Sequence, residues 1–196
     1  MALHREVGPA RTTFSAIAHR AGVQRHTLYR HFPTEPDVLR ACRDHFIATH
    51  PFPDPAGWRD LPAGAERLRA GLAALYGYYA ANREMVGNVL RDSDLLPVGR
   101  GFREAMARTA DSLADGWPAA RGRAVRAALA LATDFFTWRS LADGPRLAPS
   151  EAADLMSRMV GGAQPASAVG FTSSAPRPGS AAAAKIARHV AKTATR

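Results

Sequence analysis

Gln24, Arg25, His26, Thr27, Tyr29, Arg30 and His31 fall within one short stretch, and every one of these side chains can donate a hydrogen bond. No carboxylate occurs between Thr12 and Pro33. A solvated helix face ordinarily mixes both signs, so an acid-free, donor-rich face suits a polyanion. On such a partner, Arg25 and His26 are the candidates for base edges, with Gln24 and Thr27 next; Thr13, Tyr29 and His31 are the candidates for phosphate oxygens, and Arg30 is a further contact.

Other chemistry is poorly supplied. Asp111 and Asp115 stand one helical turn apart and read as surface carboxylates. Asp92 and Asp94 share a loop, and Asp134 lies beside Phe135 in an apolar stretch, where it would serve a pocket or an interface. None is accompanied by a nucleophile, a metal trio or a phosphate-cradling glycine loop, so no catalytic residue is assigned and an enzyme is not expected. Six histidines (His4, His19, His26, His31, His45 and His50) lie in the first fifty residues, and Cys42 stands three before His45. His26 and His31 diverge on a helix and there is no Cys-x-x-Cys pair, so neither a metal site nor a cofactor is expected.

The donor-rich stretch needs a frame to present it. Phe14, Ile17, Ala18 and Ala21 recur at helical spacing, which predicts one amphipathic helix. Thr13 can cap its N-terminus, and Gly22 can end it in a left-handed conformation. Val23, Leu28 and Phe32 are then expected to point inward from the turn and the second helix. Two short helices crossing at small residues make a helix-turn-helix.

The chain has 196 residues, 46% of them hydrophobic, with a net charge of +9 and a pI near 10.9. It is long enough to bury a core, and its charge favours an anionic partner. The excess sits at the ends: residues 1–50 carry +3, residues 51–162 carry +1, and residues 163–196 carry +5 with no acid. No apolar run approaches a membrane span and the N-terminus lacks the core of a signal peptide, so no membrane is expected. The lone Cys42 fits a reducing, cytoplasmic setting.

The run Ile17-Ala18-x-x-Ala21-Gly22-Val23, followed by Thr27-Leu28-Tyr29-x-His31-Phe32, resembles the DNA-binding signature of TetR/AcrR-type transcriptional repressors. The resemblance implies an all-α fold, with a helix-turn-helix head and a helical-bundle regulatory and dimerisation domain. It also implies a homodimer that places two recognition helices in successive major grooves of double-stranded DNA, about 34–36 Å apart or a multiple of that. Such proteins pair through their last two helices. Two departures stand out. Residues 1–12 look too short for the full first helix of the head, with Glu6 to Thr12 expected as loop; either the start lies upstream or the head is truncated. Glu35 also stands where the family usually has a phosphate-contacting Lys.

Pro51, Pro53, Pro55 and Gly57 mark a hinge, so the domains are placed at 1–50, 51–162 and a flexible basic Ala/Pro/Ser-rich tail at 163–196. The middle part reads as helices over about 63–81, from Met85 to Leu90, from Phe102 to Trp117, a single apolar helix over 121–142, and another from Pro149 to Val160. Tyr76, Tyr79, Met85, Phe102, Met106, Phe136 and Trp138 are candidates to line a cavity for a small apolar effector, although helical spacing equally describes plain core. The reading favoured is a sequence-specific repressor released from its operator by that effector. The alternative is a helical dimeric ligand- or partner-binding protein with a defective DNA-binding head.

Overall fold

A computed structural model describes residues 1–96 and 99–164. Pro97 and Val98, and all of the expected tail beyond Gln164, lie outside these. Among the described residues every regular element is helical. The order is α1 (Ala2–Glu6), α2 (Phe14–Ala21), α3 (Arg25–His31), α4 (Glu35–Thr49), α5 (Ala56–Arg59), α6 (Ala65–Ala81), α7 (Arg83–Arg91), α8 (Arg100–Ala114), α9 (Arg123–Thr133), α10 (Phe135–Asp143) and α11 (Pro149–Gly162). Short 3-10 turns lie at Pro9–Arg11, Asp92–Asp94 and Pro118–Arg121. Met1–Gln164 form one compact unit.

Two apolar clusters serve that unit. The small one joins Phe14 and Ala18 of α2 to Leu28 of α3 and Val38 of α4, with Ile17, Phe32 and Cys42 packed around it. The large one is built on α6, whose Leu68, Leu72, Leu75, Tyr76 and Tyr79 are wholly buried, against α8, α9, α10 and α11. Gly71 of α6 lies against Leu113 and the Trp58 indole, where a Cβ would collide with the Leu113 side chain.

The local signals of the head hold. The Thr13 hydroxyl accepts from the Ala16 N–H at 3.1 Å. Gly22 is left-handed (φ 66°), its N–H donates to the His19 carbonyl, and the Val23 N–H donates to the Ala18 carbonyl. That pair of reversed bonds satisfies carbonyls left open at the helix end. Asp37 accepts from the Thr34 N–H at 3.1 Å and so starts α4. Val23, expected to point inward, is instead 42% exposed, and Ala21 is exposed as well. The tight turn uses the Val23 N–H and leaves its side chain outside, and Phe14, Ala18, Leu28 and Val38 fill the core without it.

The single helix expected over 121–142 is two helices. The chain extends at Asp134 (ψ 135°), whose carboxylate accepts the Thr137 N–H at 2.8 Å and caps α10. Asp134 is therefore a helix cap, a role the sequence reading did not assign to it. Likewise, part of the loop expected from Glu6 to Thr12 is ordered as a 3-10 turn, and a five-residue α1 precedes it.

Candidate nucleic-acid interface

α3 presents its polar residues to solvent because Leu28 is the residue it buries. Gln24, Arg25, His26, Tyr29, Arg30 and His31 are exposed, Thr27 is half-buried, and Thr13 stands exposed at the start of α2. Leu28 anchors the helix, and its periodicity leaves the donors outside.

Two of these residues form a unit. The Tyr29 ring stacks on Phe14 of α2 with centroids 4.5 Å apart and planes 6° from parallel. The Arg25 guanidinium lies over the Tyr29 ring at 5.3 Å and donates to the Tyr29 hydroxyl at 2.9 Å. Arg25 thus rests one turn along its own helix, held by a cation–π contact and a hydrogen bond at an exposed site. Arg20 of α2 is committed elsewhere, donating at two points to Glu6 of α1 at 2.7 and 2.9 Å. The hydrogen bond to Arg20 holds the exposed Glu6 carboxyl below its ordinary range. Glu35 is exposed in the first turn of α4, where the helix dipole favours a carboxylate.

Residues 1–42 match the model for bacterial regulatory proteins of the tetR family. The head is similar to that of tetR-family regulators. The matched segment runs from α1 into α4 and includes every residue of the donor-rich face. No curated protein and no solved structure matches the chain. The tetR-type head supports DNA binding and transcriptional regulation as the activity of this molecule.

A cavity of about 430 Å3 lies where the tetR-type head meets the helices that follow. The head contributes Leu39, Cys42, Phe46 and Ile47 of α4 and His4 near the N-terminus; Met85 and Val89 of α7 and Phe102 of α8 face them. Val38 is the buried residue of α4, while its Leu39, Cys42, Phe46 and Ile47 border this space. Phe46 stacks on His50, and Phe52 meets both Tyr78 and Phe102 edge-on or tilted. Burial pushes the Cys42 thiol up, and burial pushes Tyr78 up to about 12, so both stay neutral at ordinary pH.

Of the expected effector residues, Met85 and Phe102 line this cavity. Met106 borders a separate, more open cleft of about 340 Å3 between α8 and α9. Tyr76, Tyr79 and Trp138 do not line the cavity: they are buried in the large cluster, and both tyrosine hydroxyls are spent on backbone carbonyls. Phe136 points to solvent, 45% exposed. Helical spacing could not separate these fates, because core and cavity wall share one periodicity. Tyr78 and Phe52, which do line the cavity, were not picked out.

Sequence reasoning also missed the seam between α1 and α7. Asn88 donates to the carbonyls of His4 (3.1 Å) and Arg5 (2.7 Å), and Arg91 donates to that of Val7 (3.1 Å). Asp92 accepts from the Ala10 N–H at 3.0 Å. Burial raises the Asp92 carboxyl, but the Arg91 hydrogen bond, the Ala10 N–H and the charges of Arg91 and Arg11 outweigh it and the net shift is downward. A polar triplet, Asn88-x-x-Arg91-Asp92, at the end of an otherwise apolar helical stripe was the available signal.

Proposed function

We propose that this chain is a sequence-specific transcriptional repressor that works as a homodimer and leaves its operator when a small, largely apolar molecule binds. The observation that carries the reading is the exposed, acid-free donor face of α3 on a head that matches the tetR family. Arg25 and His26 read base edges in the major groove, with Gln24 and Thr27 beside them. Thr13, Tyr29, Arg30 and His31 grip phosphates and set the register.

Leu131, Phe136 and Met159, on α9, α10 and α11, remain exposed at 61%, 45% and 58%, large apolar side chains that a second copy would cover. The aromatic-walled cavity supports a flat apolar effector, and such a molecule shifts the head only if it prefers one arrangement over another. The rival reading, a ligand- or partner-binding dimer with a defective head, draws on the five-residue α1. Against it, α1 is tied to α2 through Glu6 and Arg20 and to α7 through Asn88.

Selection of bound fragments from a random duplex pool tests the proposal. A palindromic consensus with half-sites near one helical turn apart is expected. A pool that shows no enrichment, with the protein folded and dimeric, would favour the rival.

A further inference from the structure

We infer that Asn88 is a positioning residue for the DNA-binding head, and that an occupant of the adjoining cavity acts on the head through the α1–α7 seam. This rests on the DNA-binding reading above.

A helix of five residues cannot stand alone, because the cost of nucleation exceeds what one turn returns. Its final carbonyls have no partners within the helix. The His4 carbonyl accepts the Gly8 N–H at 3.1 Å, and α7 adds to this: the Asn88 amide donates to the carbonyls of both His4 and Arg5, at the C-terminal end of α1 (Ala2–Glu6). The donors are themselves held. Arg91 donates to the Asn88 side-chain oxygen at 2.8 Å and to Asp92 at 2.9 Å, so Asn88, Arg91 and Asp92 form one connected group with its polar atoms paired. Asn88 and Asp92 are buried. The approach is close enough to exclude a side chain. Gly8 has φ 91°, and a Cβ there would overlap the Arg91 guanidinium and the Asp92 carboxylate.

The same two elements wall the cavity. His4 and Pro9 border it from the head side, and Met85, Val86 and Val89 border it from α7. Val89 follows Asn88 directly in sequence. A molecule lodged there therefore bears on both sides of the seam, and a small rotation of α7 carries the Asn88 donors away from the α1 carbonyls. Since Glu6 of α1 also holds Arg20 of α2, loosening α1 reaches the frame that presents α3.

The test combines amide hydrogen exchange with duplex binding, using the full chain. Asn88→Asp keeps the shape but removes the N–H donors; Gly8→Ala opposes the seam from the other side. Each is expected to speed exchange in residues 2–11 by about tenfold or more and to weaken binding to the selected duplex by a similar factor. Exchange in α6 and α9 should stay unchanged, which a general loss of stability would not permit. Ala105→Phe, on α8, adds bulk to the cavity from an element outside the seam; Ala105→Leu replaces it if the larger ring prevents folding. Filling should speed α1 exchange and weaken DNA binding with Asn88 present, and add little in the Asn88→Asp background. Unchanged α1 exchange in Asn88→Asp, or equal effects of filling in both backgrounds, overturns the inference. If the unaltered chain binds no duplex, the repressor reading fails, while the exchange measurements still judge the seam.

Discussion

The Tyr76 hydroxyl of α6 donates to the Ala132 carbonyl of α9 at 2.7 Å, across fifty-six positions of sequence. Its neighbour Tyr79 does the same to Thr133 at 2.6 Å. The break at Asp134 strands the last carbonyls of α9, and these two hydroxyls satisfy them inside the core. Burial pushes both phenols well above their ordinary range, with Asp134 adding to the shift, so they remain donors at any ordinary pH.

Replacing either tyrosine with Phe leaves a buried carbonyl unpaired. Each change should cost about 1–3 kcal/mol in urea unfolding. The two should not simply add, because the hydroxyls serve adjacent carbonyls. A neutral result for Tyr76→Phe would mean that the carbonyls find other donors.

The Phe14–Tyr29–Arg25 stack separates two contributions to DNA binding. Tyr29→Ala removes the platform and a phosphate contact, so affinity should fall on every duplex. Tyr29→Phe keeps the stack on Phe14 and should lose less. Arg25→Ala should mainly relax preference among bases, by about 1–3 kcal/mol. Equal losses on selected and random duplexes for Arg25→Ala would count against a base-reading role, and competition gel shifts provide the comparison.

Acid should undo the α1–α7 seam in two stages. Burial and the nearby amino terminus push His4 below its ordinary 6.5, against a weaker pull from Asp92. The unfolded chain therefore takes up the proton first, and stability falls as pH drops below about 6.5. Asp92 is held below its ordinary 3.8. Its contribution is complete above that pH and disappears as pH falls through the depressed value. Urea midpoints measured from pH 8 to pH 3 should decline first in the upper window, and His4→Gln should remove that decline.

Charge placed on the exposed apolar side should split a dimer without unfolding its subunits. Phe136→Glu or Met159→Glu is expected to halve the mass seen by light scattering while leaving helicity intact. Affinity for a duplex with two half-sites should fall with it, and affinity for one half-site should not.

The tail adds five basic residues and no acid. If it grips phosphate, removing residues 165–196 should flatten the salt dependence of DNA binding, by up to about 0.9 in slope for each phosphate no longer neutralised, with base preference unchanged. An unaltered slope would assign the tail no part in binding.

The head was legible in the sequence because its signals are local. Thr13 caps a helix three residues on, Gly22 ends it, and Leu28 lies one turn from Phe32; periodicity and capping act within a few positions of the chain. The donor-rich face followed from the same periodicity. What tertiary structure alone decided involves partners far apart in sequence. The apolar pattern continues on both sides of Asp134, and Tyr76 and Tyr79, folded against the break, pair the carbonyls that it strands. Gly8 reads as an ordinary loop glycine until Arg91 and Asp92, more than eighty residues on, close over it. Periodicity reports which face of a helix avoids water. It does not report which buried carbonyl needs a donor, nor whether an apolar face meets core, cavity or a second molecule, because those depend on what the fold brings opposite.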